Sequence, residues 1–170
     1  MPSFTAVLAA YQDLPTRVHS LMLSTVNGTG QPQASYAPYV IDDDYQIYIF
    51  TSGLSAHTAN LQTTGLASIL LIEDEAKAPQ VFARQRITFE CQANLLPRGT
   101  ADWEAVADRF EQRFGEIISM LRSLDDFQIF CLSPQTGRFV MGFGAAYAVD
   151  PGNLSQLVGP PQPGPDEASA

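Results

Sequence analysis

Arg84-Gln85-Arg86 sets two guanidiniums on either side of an amide within three residues. A guanidinium is suited to planar, two-pronged recognition of carboxylate or phosphate. The chain carries nine Lys+Arg against eighteen Asp+Glu, a formal charge of −9, and Lys77 is the one lysine among those nine. That field repels a nucleic-acid backbone, so a small bound anion is the partner these arginines suit. Metal ligands and nucleophiles are sparse. His19 and His57 are the two histidines, and Cys91 and Cys131 stand 40 residues apart without a CxxC pairing. No structural zinc cluster can be assembled from them. Each cysteine lies in an apolar, strand-like run and reads as a buried free thiol. Asp42-Asp43-Asp44 lacks the spacing of a calcium loop and reads as a solvated hairpin turn, and Asp125-Asp126 as a turn or cap. GxSxG, GxxxxGK[ST], HExxH and GxGxxG are all missing, which removes sequence support for hydrolase, nucleotide-triphosphatase, zincin and Rossmann chemistry.

The elements that must position these residues follow from length and periodicity. With 170 residues, 45% of them hydrophobic, the chain predicts one folded domain. Ser3 can cap a short helix over 4–12, with Pro15 beyond it. His19–Val26, Gln33–Ile41 and Tyr45–Thr51 read as three antiparallel strands, joined by Asn27-Gly28-Thr29-Gly30 and by the Asp triplet. Ser55 begins a two-turn helix that ends at Gly65, and Leu66–Ile72 is a buried strand. From Val81 to Leu95 residues alternate, with Gln85, Ile87, Phe89, Cys91, Ala93 and Leu95 on one face and Arg84, Arg86, Thr88, Glu90 and Gln92 on the other. Trp103, Val106, Phe110, Phe114, Ile117, Leu121 and Leu124 recur at helical spacing across 100–124, with a bend at Gly115. Strand returns over Phe127–Leu132, turns at Ser133–Gly137 and continues from Arg138 to Val149. The expectation is a mainly β, α+β fold: an antiparallel six-stranded barrel over 1–150, then a flexible Pro/Gly-rich tail over 151–170. No stretch of about 18 apolar residues and no basic, apolar leader occurs, so the expected setting is cytoplasmic, away from the membrane.

The segment Phe50-Thr51-Ser52-Gly53-Leu54-Ser55-Ala56-His57 resembles the FMN-binding split-barrel proteins of the pyridoxamine 5'-phosphate oxidase type. Ala83–Thr88, Arg109-Phe110, Arg113-Phe114-Gly115, Asp126-Phe127 and Gly137–Tyr147 resemble more closely its haem iron utilisation branch, the HugZ/HutZ-like proteins. The resemblance spans about 15–149. It implies a split barrel that forms a homodimer, with a planar cofactor in clefts between the barrels. Carried onto this sequence, it makes Ser52, Ser55, His57, Thr58, Arg84, Gln85, Arg86 and Arg138 the candidate cofactor-binding residues. Haem is the leading cofactor. Arg84, Arg86 and Arg138 would then meet the propionates, and His57 would be the iron ligand in place of the histidine that haem-degrading relatives carry near the C-terminus, since none follows His57 here. An oxygenase of this type uses haem as both cofactor and substrate. FMN is the alternative, with a weakened phosphate clamp: relatives follow the Ser55 position with Arg-Lys where this chain has Ala56-His57, and they carry an Arg on the second strand where Gln33–Ile41 has no charge. A third outcome is a noncatalytic sensor or interaction module of the same fold.

Overall fold

The computed structural model describes residues 2–159. Helix α1 (Phe4–Arg17) is capped by Ser3, whose hydroxyl accepts from the Ala6 amide, and it carries Pro15 inside its last turn. It therefore runs five residues past the end expected at 12, because Val7, Tyr11 and Leu14 are drawn fully into the core. Strands β1 (Ser20–Val26), β2 (Pro32–Ile41) and β3 (Ile47–Ser52) form a meander. Helix α2 (Ala56–Thr64) crosses to β4 (Leu66–Ile72), ending at Gly65, whose φ of 65° is the left-handed conformation that glycine tolerates. Strand β5 (Arg86–Leu96) precedes α3 (Ala101–Phe114) and α4 (Ile117–Arg122), and β6 (Phe127–Gly142), β7 (Ala145–Val149) and β8 (Leu157–Val158) complete the chain. The order β3-β2-β1-β4-β5-β6 is antiparallel throughout, and the first half of β6 returns to β3, closing a six-stranded barrel as expected. The second half of β6 carries β7 and β8 as an extension.

Two cores result. The barrel interior holds Leu21, Ile47, Phe89 and Phe139 with the buried face of α1, and a smaller core packs Trp103, Val106 and Phe110 of α3 on Val40, Phe50 and Ile129. Helices α3 and α4 break apart where the bend was expected, at Gly115 (φ 78°). The break turns the helical stripe out of phase, leaving Ile117 and Leu124 exposed.

Four further expectations are corrected. Residues 81–85 are not strand: Val81–Ala83 forms a 3₁₀ turn and β5 begins at Arg86. Ser133–Gly137 is not a turn but the middle of β6. Pro134 lies opposite Cys91 and Thr136 opposite Glu90, so Gln135 is the extra residue of a bulge, where a proline without N–H fits. Gly137 faces Phe89, and a Cβ there would come within 2.6 Å of that ring, so the glycine makes room for the core. The run from Arg138 to Val149 is not one strand. It folds into the β6–β7 hairpin with Gly144 at φ 64°, which puts Phe143 at an exposed tip rather than on a strand face. Finally, the folded unit extends beyond 150. Leu157 is buried, β8 pairs with β7, and the Leu154 carbonyl accepts from the Tyr11 hydroxyl at 2.5 Å, so this part of the expected tail is docked; residues 160–170 lie outside the described residues.

Candidate functional site

The candidates divide into two groups. The first follows β3. Ser52 donates its hydroxyl to Asp126 Oδ2 at 2.8 Å and accepts from the Leu54 amide at 3.2 Å, and the Gly53 amide donates to the Asp126 carbonyl at 2.6 Å. Asp126, read from sequence as a turn residue, thus ties the β3–α2 corner to the start of β6. Ser55 sits at the α2 cap position with no capping side-chain bond. Thr58 is fully buried and donates to the Thr51 hydroxyl at 3.0 Å or the Ser52 carbonyl at 2.7 Å. Its position inside the fold removes it from the candidate ligand-binding residues. His57 is half-buried on the first turn of α2, and burial pushes its imidazole below the usual range, so it is neutral at pH 7 and able to offer a lone pair.

The second group lies at the other end of β6. The Arg84 guanidinium is engaged within the fold: Nε donates to the Glu73 carbonyl at 2.9 Å, a second nitrogen reaches the same oxygen, and the third is 3.5 Å from Glu75. Gln85 Oε1 accepts from Arg17 at 3.1 Å, which fastens the end of α1 to the barrel rim. Arg17 was invisible to sequence reasoning because it lies 68 residues away. Arg86 bonds the Arg84 carbonyl through one nitrogen at 3.1 Å. Arg138 is exposed, without an ion pair among the described residues. Thr88 lies opposite Arg138 and Val140 opposite Arg86, so these two arginines are diagonal neighbours on the outer sheet face.

Within one chain the two groups do not meet. Ser52 pairs with Phe127 and Arg86 with Val140, 13 residues further along β6 (140 minus 127), a contour of roughly 40 Å. The outer face of β1, β2 and β4 presents Met22, Tyr36 and Leu66, each more than half exposed. A groove of about 430 Å³, lined by Val26, Pro32, Leu66 and Ala67 with Gln92 and Gln135, opens on this face. His19, exposed at the head of β1, joins neither group. Among the described residues no cluster of three His, Cys, Asp or Glu could hold a metal ion, and no helix is long and apolar enough to cross a membrane.

The family model for pyridoxamine 5'-phosphate oxidase matches residues 7–141. The chain belongs to the pyridoxamine 5'-phosphate oxidase family. Within that family it is 41% identical over 139 residues to the haem oxygenase HutZ of Vibrio cholerae, covering 82% of this chain and 78% of that protein. The solved structure of HutZ, described as a haem storage protein of the same organism, superposes with a TM-score of 0.75 at 38% identity, covering 80% of this chain and 95% of that one. Campylobacter jejuni ChuZ superposes with a TM-score of 0.81 at 34% identity, covering 90% of this chain and 63% of ChuZ. The split-barrel fold expected from sequence is therefore the fold of this family.

Proposed function

We propose that this member of the pyridoxamine 5'-phosphate oxidase family binds haem in clefts between two copies of the chain and serves haem utilisation, with haem as bound substrate where breakdown occurs. The observations that carry the reading are a neutral imidazole near one end of β6, guanidinium donors near its other end, and an apolar, grooved outer face on β1, β2 and β4. One chain cannot bring the ends together, whereas a two-fold pairing across that face lays one copy's His57 end beside the other's Arg86 end. Leu54 (92% exposed) stands at the first end and Phe82 (81%) and Phe143 (73%) at the second, so apolar side chains await cover at both.

The residues present fit haem. The apolar face suits the macrocycle, Arg86 and Arg138 have guanidinium nitrogens to offer carboxylates, and His57 is a neutral ligand for iron. Arg84, held by Glu73 and Glu75, instead braces the segment that leads into β5 and Arg86. FMN fits poorly. A phosphate dianion needs several donors, and the start of α2 supplies only the unengaged Ser55 hydroxyl beside a neutral imidazole, with Thr58 turned inward and β2 uncharged. The two descriptions of Vibrio cholerae HutZ, haem oxygenase and haem storage protein, support the same ligand. The free thiols Cys91 and Cys131 suit a reducing, cytoplasmic setting. Titration of the purified protein with hemin and with FMN tests the reading. A saturable Soret change at micromolar hemin, with no quenching of flavin fluorescence, is expected; tight FMN binding, or no hemin binding at tens of micromolar, would overturn it.

A further inference from the structure

Helix α3 sorts its charges to two flanks. Glu104, Asp108 and Glu111 all reach Arg122 of α4, forming three ion pairs within 4 Å. Arg109 and Arg113, one turn apart, have no carboxylate within that distance among the described residues. Like charges at this spacing disfavour a helix, and a chain with twice as many acids as bases could easily have paired them. Arg113 is also held in place. One of its terminal nitrogens donates to the Val18 carbonyl at 2.8 Å and the Pro15 carbonyl at 3.2 Å, and its guanidinium lies over the Tyr39 ring, 5.0 Å from the centroid. The other terminal nitrogen and Nε make no bond to a backbone carbonyl among the described residues. Tyr39 shares its one hydroxyl proton between the same two carbonyls, each at 2.9 Å, so two side chains clasp the α1–β1 link. Beside it opens a recess of about 230 Å³, with Val40 and Ile41 as an apolar floor and Arg109, Gln112 and Arg113 on the rim. The adjacent Asp42 is turned elsewhere: its carboxylate accepts from the Asp44 and Gln46 amides and from the Tyr48 hydroxyl.

We propose that this recess is a binding site for a small oxyanion, a carboxylate or phosphate carried on a compact body, separate from the haem cleft. A preordered guanidinium has already lost the side-chain freedom that anion binding would otherwise cost, and a second guanidinium one turn away completes a two-pronged clamp. The recess, about 230 Å³ and open to solvent, has room for a short dicarboxylate. The amide of Gln112 supplies an uncharged donor, and the Val40–Ile41 floor takes methylene groups, so succinate should bind more tightly than inorganic phosphate.

The test uses the whole 170-residue chain without haem, so its result does not depend on the haem reading. Melting temperatures are measured in sodium succinate, sodium phosphate and sodium chloride at matched ionic strength, for wild type, Arg109→Gln and Lys77→Gln. Lys77 is an exposed cation on the Glu75–Lys77 3₁₀ turn and does not line the recess. A rise of about 3 °C or more in succinate over chloride is expected for wild type and Lys77→Gln, with a smaller rise in phosphate. It should be lost in Arg109→Gln, which leaves the Arg113 clasp intact. No rise in wild type, an equal rise in Arg109→Gln, or loss of the rise in Lys77→Gln as well, would overturn the proposal.

Discussion

His57 and Cys91 show how burial sets the chemistry of single residues in this fold. The His57 imidazole is pushed below its ordinary value of 6.5 by burial, so as pH falls the unfolded chain takes up its proton before the folded chain does. The stability linked to His57 is therefore complete above about 6.5 and lost as pH falls through the lowered folded value. Melting curves between neutral and mildly acidic pH should show a smaller acid loss for His57→Asn than for wild type. Cys91, buried in the barrel, has its thiol pushed up to about 12, first by burial and then by nearby Cys131 and Glu90. A thiol-reactive dye at pH 8 should leave Cys91 unmodified in the native protein and label it only in denaturant. At this scale the sequence was informative about type and uninformative about engagement. Arg84, Gln85 and Thr58 have the right chemistry, but Glu73, Arg17 and Thr51 occupy their polar atoms, and partners 7 to 68 residues away leave no local pattern.

Among elements, β6 defines the site's geometry. Its 16 residues close the barrel with one half and carry the β7–β8 extension with the other. Gly137→Ala would drive a methyl into the Phe89 ring and within 2.8 Å of Val149, and urea denaturation should show a loss of about 1–3 kcal/mol. A chain ending at Asp150 would lose the buried Leu157 side chain and the Tyr11–Leu154 bond, about 2–4 kcal/mol together, whereas one ending at Gly159 keeps both. Strand and helix periodicity made the meander, β4 and the broken α3–α4 excursion legible. Ser-Pro-Gln-Thr-Gly misled because a bulge and a turn draw on the same residues, and only the register against β5 tells them apart. The docked segment 151–158 escaped because a single buried leucine and two strand residues give no periodic signal.

For the whole molecule, the central claim is that two copies share each haem cleft. Light scattering at micromolar concentration should give a dimer. Because each copy carries −9, raising the ionic strength should tighten the association by screening their repulsion. The most direct test combines two defective chains, His57→Ala and Arg86→Ala, co-expressed with different tags and titrated with hemin. If each cleft takes His57 from one copy and Arg86 from the other, a mixed dimer has one intact cleft and one doubly defective cleft. Random pairing then restores about a quarter of the wild-type number of tight hemin sites. Binding no better than that of the two variants measured separately would contradict the account.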